Sequence, residues 1–343
     1  MPARVILFFV VLLILVFSGT FLYKNLLTVK FDQLGGDQQE ELIKLKTPIV
    51  LGAPTSIQSM LIKKYEIDKK YGLDIEYVNA IPGEVEKDLF EGKYQVSLVG
   101  LLSTYTEAQK GRKLKIIFPA QNLSYDIIVP VDSHIKSIAD LKGKKVGTLH
   151  KTTALYPAAL MVFKFEGLEP EKDLQLIFGS PDEIVQDLKS GYVDAATIAY
   201  PFGANLISTG NFKSISRLLD VWRDNEDSLP MPFVVMVAQE EWWNNNKDTA
   251  KKMAKVYHEA AQMMQRDPSV INGLTEYLEH NNLNSVQSLK IIRERVPGLI
   301  FERYSITEYE GIKRYYQRAK EYGFLPENTP SVESLLVMPN ELE

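Results

Sequence analysis

The sequence predicts an α/β protein of two related lobes, on three observations. Strand-like and helix-like segments alternate from residue 47 onward, which is typical of a parallel sheet with crossover helices. A helix, a glycine and a buried strand follow one another twice, at 84–99 and at 180–198. Two longer extended runs, at 124–131 and 229–238, separate these parts and are predicted to cross between the lobes.

The first lobe is predicted to begin with a strand at 47–52. An amphipathic helix follows at 57–70, and residues 73–79 then alternate as a second strand. Residues 25–46 precede these elements and are predicted to be a spacer, in which 40–46 could form one or two helical turns.

The second copy of the repeated pattern has clear helix boundaries. Ser180 fits the N-cap, Pro181 fits the first helical position, and Glu183 completes a capping box. Gly191 ends this helix, and residues 193–198 follow as a buried strand.

The stretch 137–154 is predicted to lead into a binding loop. Gly143 suits the left-handed residue that ends a short turn, and a strand at 145–149 follows it. Thr152 and Thr153 can each cap the next helix, whose first N–H groups would then face a ligand.

The segment IKSIADLKGKKVGT at 135–148 resembles the start of the second lobe in extracytoplasmic solute-binding proteins of ABC importers. The similar group is the one for nitrate, sulfonate, taurine and thiamine-pyrimidine precursors, and the resemblance covers about residues 47 to 325. It implies a type II periplasmic-binding-protein fold whose two crossover strands act as a hinge. The predicted parts are lobe I at 47–127 plus 233–325, lobe II at 128–232, and a polar C-terminal tail at 326–343.

The N-terminus predicts a membrane anchor. Residues 5–23 contain no charged side chain, and a helix needs about 20 apolar residues to cross a bilayer. The competing interpretation is a cleaved signal peptide, but no A-x-A-like site ends the apolar run. Residues 1–24 are therefore predicted to be an anchor or uncleaved signal, with the bulk of the chain extracytoplasmic, either periplasmic or extracellular.

Composition and motifs exclude several classes of function. The 343 residues carry a net charge of −5 with dispersed basic side chains, which argues against nucleic-acid binding. The chain has no cysteine, so disulfides, thiolate catalysis and cysteine-ligated metals are excluded. The four histidines lack metal-ligand spacing, and neither a Walker loop nor a Gly-x-Ser-x-Gly motif is present. We therefore expect a protein without catalytic residues, cofactor or metal.

The candidate site lies where the strands of both lobes end. Ligands in open α/β sheets bind beyond the carboxyl ends of the strands, against helix N-termini. The loops at these positions contain hydroxyl groups but no arginine, so an anion is favoured while a neutral or aromatic ligand stays open. The predicted ligand-binding residues are Thr55, Ser56, Gly100, Leu101, Ser103, Tyr125, Thr152, Thr153, Tyr200 and Pro201.

Together with the apolar segment at 5–23, the resemblance implies a monomeric, membrane-tethered solute-binding protein. It would capture a small sulfonate-like or nitrate-like anion between its lobes and deliver it to an ABC permease with its ATPase. Two alternatives share the fold: binding of a pyrimidine or other aromatic vitamin precursor, and an enzyme resembling those of the thiamine-pyrimidine or menaquinone pathways. The pyrimidine synthase has a cysteine-rich signature that this chain lacks. A tethered subunit that presents its ligand to another membrane protein is a third possibility.

Overall fold

The structure, a computed structural model, describes residues 41–81, 83–151 and 153–343. The predicted anchor at 1–24 lies outside the described residues, as does the spacer as far as residue 40. Within the described ranges, no helix combines the length and the apolar character needed to cross a membrane.

Ten strands and fifteen α-helices are assigned in the described part of the chain. The strands are β1 Ile43–Ile49, β2 Leu73–Asn79, β3 Val96–Gly100, β4 Leu114–Asn122, β5 Tyr125–Pro130, β6 Lys145–Leu149, β7 Gln175–Gly179, β8 Ala195–Ala199, β9 Phe212–Arg217 and β10 Pro232–Gln239. The helices are α1 Thr55–Tyr65, α2 Ile67–Lys70, α3 Glu84–Phe90, α4 Leu101–Gln109, α5 Leu155–Phe165, α6 Pro170–Asp173, α7 Pro181–Ser190, α8 Phe202–Ser208, α9 Leu218–Asn225, α10 Glu240–Asn245, α11 Lys247–Arg266, α12 Thr275–His280, α13 Val286–Arg295, α14 Ile306–Glu321 and α15 Val332–Leu335.

Lobe I is built on two neighbouring sheets. Strands β1 and β2 pair in parallel, while β10 pairs antiparallel with both β3 and β4. The Thr47 hydroxyl of β1 donates to the carbonyl of Val96 in β3 at 3.3 Å, which joins the two sheets side by side. The ends of β1 and β3 therefore lie at one edge, each followed by a helix.

Lobe II holds a five-stranded sheet in the order β7-β6-β8-β5-β9. Strand β6 runs parallel to β7 and β8, and β5 runs antiparallel to β8 and β9. Asp194 links the starts of β6 and β8, since its carboxylate accepts a 2.8 Å hydrogen bond from the backbone N–H of Lys145. The two-lobed α/β fold expected from the sequence is thus present.

The chain passes between the lobes twice, and the two passages touch. The backbone N–H of Leu123, between β4 and β5, donates to the carbonyl of Met231, just before β10, at 3.0 Å. Both predicted extended runs contain strands, but each strand belongs wholly to one sheet. Because β5 lies in the sheet of lobe II, the first passage is a few residues earlier than a boundary at 127 would place it.

Two predicted elements of lobe I differ in the structure. Residues 43–46 are not helical turns, since they form the first half of β1 and pair in register with Leu73–Glu76. Pairing with a buried strand outweighs the weak local preference for helix. The helix predicted at 57–70 is interrupted at Glu66, whose left-handed backbone (φ 51°) ends α1 and begins α2.

The C-terminal residues 326–343 are polar in composition but do not form a free tail. The side chains that this segment buries are Val332, Leu335, Leu336, Val337 and Leu342. The N–H of Val337 donates to the carbonyl of Ile116 in β4 at 3.0 Å. The prediction of a polar tail is wrong in this respect, because apolar residues spaced among charged ones cover the exposed edge of β4.

Helix α14 contacts both lobes. On one side, the ring of Tyr316 meets the ring of Tyr105 from α4 of lobe I, with centroids 4.8 Å apart. On the other side, Tyr315 meets Trp222 from α9 of lobe II at 6.0 Å. Aromatic pairs at these separations pack favourably edge to face. The helix therefore packs against lobe I and lobe II at once.

A buried ion cluster adds to this contact. The Glu226 side chain, at the end of α9, is fully buried, and Arg318 donates to its Oε1 at 2.5 Å. Arg314 donates to its Oε2 at 2.5 Å. Both arginines lie on α14, so the cluster links that helix to lobe II by charge-assisted hydrogen bonds.

Candidate functional site

The two lobes meet at the start of α4 and of α5. A Cβ built on Gly100, the last residue of β3, would lie 3.7 Å from the Cβ of Ala154, which immediately precedes α5. The backbone of Gly100 has φ −63°, which any residue adopts, and a Cβ here would be in ordinary van der Waals contact with Ala154. At this contact the two lobes touch across the cleft.

A large cavity of about 700 Å³ lies beside this contact and is lined by both lobes. Ser103 and Thr106 line it from α4, and Lys151, Thr153 and Tyr156 line it from lobe II. Its volume is in the range of small-molecule sites. The rings of Phe90, Tyr156 and Phe324 also reach this cavity.

Half of the charged residues around the large cavity have ion-pair partners, whereas Glu86, Lys87 and Glu91 have none among the described residues. Glu107 accepts from Lys110 at 2.6 Å and from Arg112 at 2.7 Å. Although partial burial opposes it, these two cations lower the pKa of Glu107. Lys151 pairs with Glu171 at 3.3 Å, which also accepts from the Tyr156 hydroxyl at 2.5 Å. The lining therefore combines hydroxyl and aromatic residues with charged groups of both signs.

A small cavity lies on the hinge side of the cleft. It has a volume of about 10 Å³, which is room for about one water molecule. The residues that line it are Leu123, Ser124, Tyr125, Asp126, Tyr200, Arg217, Leu219, Arg295 and Leu299. Arg295 and Leu299 come from lobe I, and the residues from Tyr125 to Leu219 come from lobe II.

The chemistry of the small cavity is polar and charged. The Tyr200 hydroxyl donates to Oδ2 of the buried Asp126 at 2.8 Å. Burial raises the pKa of Asp126, while hydrogen bonds from Ser214 and Tyr200 oppose this shift. Burial also raises the pKa of Tyr125 to about 12, so its hydroxyl stays protonated and can donate.

The predicted site residues divide between the two cavities. Ser103 and Thr153 line the large cavity, and Tyr125 and Tyr200 line the small one. Gly100 lies at the contact between the lobes. The residues of the prediction that line neither of these cavities are Thr55, Ser56, Leu101 and Pro201. Thr152 lies outside the described residues.

Two of the predicted hydroxyls are used locally. The Ser56 hydroxyl donates to the carbonyls of Ala53 at 2.7 Å and Leu51 at 3.1 Å. The Thr153 hydroxyl donates to the carbonyl of His150 at 2.8 Å. Small hydroxyl side chains at the start of a helix often satisfy the backbone of their own turn, and the sequence pattern does not separate this use from ligand contact.

The two arginines of the small cavity were absent from the sequence prediction. Arg217 ends β9, a strand that the sequence analysis does not identify, and Arg295 ends α13, far along the chain in the C-terminal helical region. No local motif marks either residue. Only the pairing of β9 with β5 and the packing of α13 bring both beside Asp126.

The two lobes, the paired passages and the cleft define a two-lobed α/β fold. The profile of the family described as NMT1/THI5 like matches residues 69–271, more than half of the chain. The chain therefore belongs to the NMT1/THI5-like family, which confirms the relationship indicated by residues 135–148. No curated protein matches the chain in sequence.

Solved structures share this fold at low sequence identity. The alkanesulfonate-binding protein SsuA of Xanthomonas axonopodis pv. citri, bound to MOPS, is 16% identical with a TM-score of 0.68, covering 87% of this chain and 99% of that one. The periplasmic aliphatic sulphonate-binding protein SsuA of Escherichia coli is 16% identical with a TM-score of 0.67, covering 84% and 95%. The periplasmic nitrate-binding protein NrtA of Synechocystis PCC 6803 is 15% identical with a TM-score of 0.58, covering 86% and 84%.

Proposed function

We propose that this protein is the extracytoplasmic solute-binding component of an ABC import system and captures a small sulfonate-like or nitrate-like anion. The observation that carries the proposal is the cavity of about 700 Å³ lined by both lobes. Two lobes joined by adjacent passages can open and close around such a cavity. The sulfonate-binding and nitrate-binding proteins with the same fold support the choice of ligand class.

The mechanism follows from differential affinity. A ligand that contacts both lobes binds the closed form more tightly than the open form, and so shifts the population toward closure. The closed form, with its lobes in one fixed relation, would dock on the permease and release the ligand there. No group that does chemistry on the ligand is needed, so we propose a binding protein and not an enzyme.

The location of the protein is part of the same proposal. We propose that residues 5–23, which lie outside the described residues, tether the chain to the membrane. The remaining chain then acts outside the cytoplasm as a monomer, close to the permease. A mature protein that begins near Thr20 would contradict the tether.

A second candidate is an aromatic ligand such as a pyrimidine. The rings of Phe90, Tyr156 and Phe324 around the large cavity favour it, because aromatic side chains stack on planar ligands. Binding and closure would proceed in the same way. The anion and the pyrimidine are distinguished by direct competition in one assay.

A thermal-shift screen of the full chain tests the proposal. The panel comprises methanesulfonate, taurine, MOPS, nitrate and a methylated pyrimidine, with sodium chloride at equal ionic strength as the control. A ligand present at 100 times its Kd stabilises the folded protein by about 2.7 kcal/mol, so we expect a clear rise in Tm with at least one anion. No shift across the panel would overturn the anion proposal, and a shift with the pyrimidine alone would support the second candidate.

A further inference from the structure

We infer that Arg295 recognises the acidic group of the ligand, together with Arg217 across the cleft. The inference rests on the proposed function and places the charged end of the ligand at the small hinge-side cavity. The large cavity beside Ser103 and Thr153 would then hold the remainder of the ligand or serve as its entry. The sequence-predicted loops therefore supply only part of the site.

The small cavity has charged groups from both lobes. Arg295 comes from α13 of lobe I, whereas Asp126 and Arg217 come from neighbouring strands of lobe II. The lining thus holds two guanidinium groups and one carboxylate. With Asp220, which pairs with Arg217, two carboxylates accompany the two guanidinium groups, so an anion is favoured here by which groups lack a partner and not by net charge.

Within the described part of the chain, some charged groups of the small cavity already have hydrogen-bond partners, and one does not. Among the residues that the structure describes, Arg295 has neither an ion-pair partner nor a hydrogen-bond acceptor, while Arg217 pairs with Asp220. Asp126 already accepts from the Tyr200 hydroxyl. The planar fork of a guanidinium fits two oxygens of a sulfonate, nitrate or carboxylate, so Arg295 is the group in this cavity best suited to an oxyanion.

The position of the two arginines couples anion binding to closure. In the present arrangement the cavity has room for about one water molecule, so an oxyanion enters only after the lobes separate. Closure then brings Arg295 of lobe I toward Arg217 and Asp126 of lobe II. An anion that contacts both Arg295 and Arg217 makes contacts with both lobes only in the closed form, and therefore stabilises the closed form more than the open form.

Titration calorimetry on the full chain tests this inference with methanesulfonate and nitrate. The variants are R295Q, R295K and R217Q, and R293Q is the matched control because Arg293 lies on the same helix outside the small cavity. Charge-assisted hydrogen bonds make R295Q lose about 10- to 100-fold in affinity, with R295K losing less and R293Q unchanged within about twofold. Thermal melts without ligand check that each variant is folded.

The possible outcomes separate this inference from the proposed function. Binding by R295Q as tight as by the unmodified chain would overturn the role of Arg295 and leave the proposed function standing. No binding of any panel anion by the unmodified chain would overturn both. If R295Q lowers the ligand-free Tm and D126N in the same chain restores both Tm and affinity, Arg295 is only the counter-ion of Asp126 and the inference is wrong.

Discussion

Glu226 is a buried carboxylate whose negative charge is balanced by two arginines. Its side chain is fully buried, and Arg314 and Arg318 each donate to it from α14. Glu226→Gln removes the negative charge and leaves two guanidinium groups facing a neutral amide. Breaking a buried ion pair costs about 3 kcal/mol, and we expect a loss of this size in urea denaturation.

The neighbouring Asp227 supplies the control for Glu226→Gln. Its side chain is 85% exposed and lies 3.6 Å from Arg314, so Asp227→Asn should change the free energy of unfolding by less than about 1 kcal/mol. Equal effects of the two substitutions would show that the buried cluster does not stabilise the fold.

His258 makes stability depend on pH. Burial lowers its pKa to about 4, compared with about 6.5 in an unfolded chain. Between these two values the unfolded chain binds more protons than the folded one, so stability falls as the pH is lowered through that window. We expect His258→Gln to lose less stability than the unmodified chain between pH 6.5 and pH 4 in thermal melts. Parallel losses in the two proteins would contradict this prediction.

At the residue scale, the sequence predicts which loops line the cavity between the lobes better than it predicts the contacts of their side chains. Loops at the ends of β3 and β6 do line the cleft, as strand order requires. The role of each hydroxyl depends on its nearest carbonyl, which local sequence does not specify. Arg217 and Arg295 reach the same cavity only through tertiary packing of segments that are about 80 residues apart in sequence. No rule of residue spacing indicates such a pair.

Helix α14 packs against Pro230, which lies in the second passage between the lobes. This contact leaves no room for a side chain at Gly311. A Cβ at this glycine would lie 2.7 Å from the carbonyl oxygen of Pro230. Gly311→Ala improves helix propensity by about 1 kcal/mol, but overpacking costs about 1–3 kcal/mol. We expect a net loss of stability, measured by urea denaturation, and a change in ligand affinity because the passage shifts.

Gly298 is the matched control for Gly311→Ala. No heavy atom lies within 4 Å of a Cβ built at this position, so Gly298→Ala should be neutral or slightly stabilising. A Gly311→Ala variant that is as stable as Gly298→Ala would show that α14 is free to move away from Pro230.

At the element scale, patterns with strong local signals predict the structure well. Strands β2 and β6 have the predicted bounds. The Ser180 capping box forms as predicted, with Glu183 accepting from the Ser180 N–H at 2.8 Å. Elements that depend on distant partners are not predicted. Strand β9 is an edge strand that, among the described strands, pairs only with β5. The C-terminal segment contacts β4, since Leu336 forms a β-bridge with Ile116.

Contact between the lobes can be fixed chemically because the chain has no cysteine of its own. The separation of 3.7 Å between the Cβ positions of Gly100 and Ala154 suits a disulfide. We expect the oxidised G100C/A154C double variant to bind methanesulfonate much more slowly than its reduced form, since the lobes no longer separate. Stopped-flow binding before and after reductant measures this difference.

The two single-cysteine variants are the controls for the cross-link. Each should bind like the reduced double variant under both conditions. If the oxidised double variant binds at the unmodified rate, the ligand enters without separation of the lobes at this contact, and the closure mechanism is wrong.

The hydrogen bond from Leu123 to Met231 has a mechanical consequence for the whole molecule. Two connections that are joined by a hydrogen bond hold the lobes together at one place, so we expect opening to be mainly a rotation about this place. The gap between the lobes is then described mainly by one angle. A membrane partner that senses this angle can distinguish an occupied protein from an empty one without touching the solute.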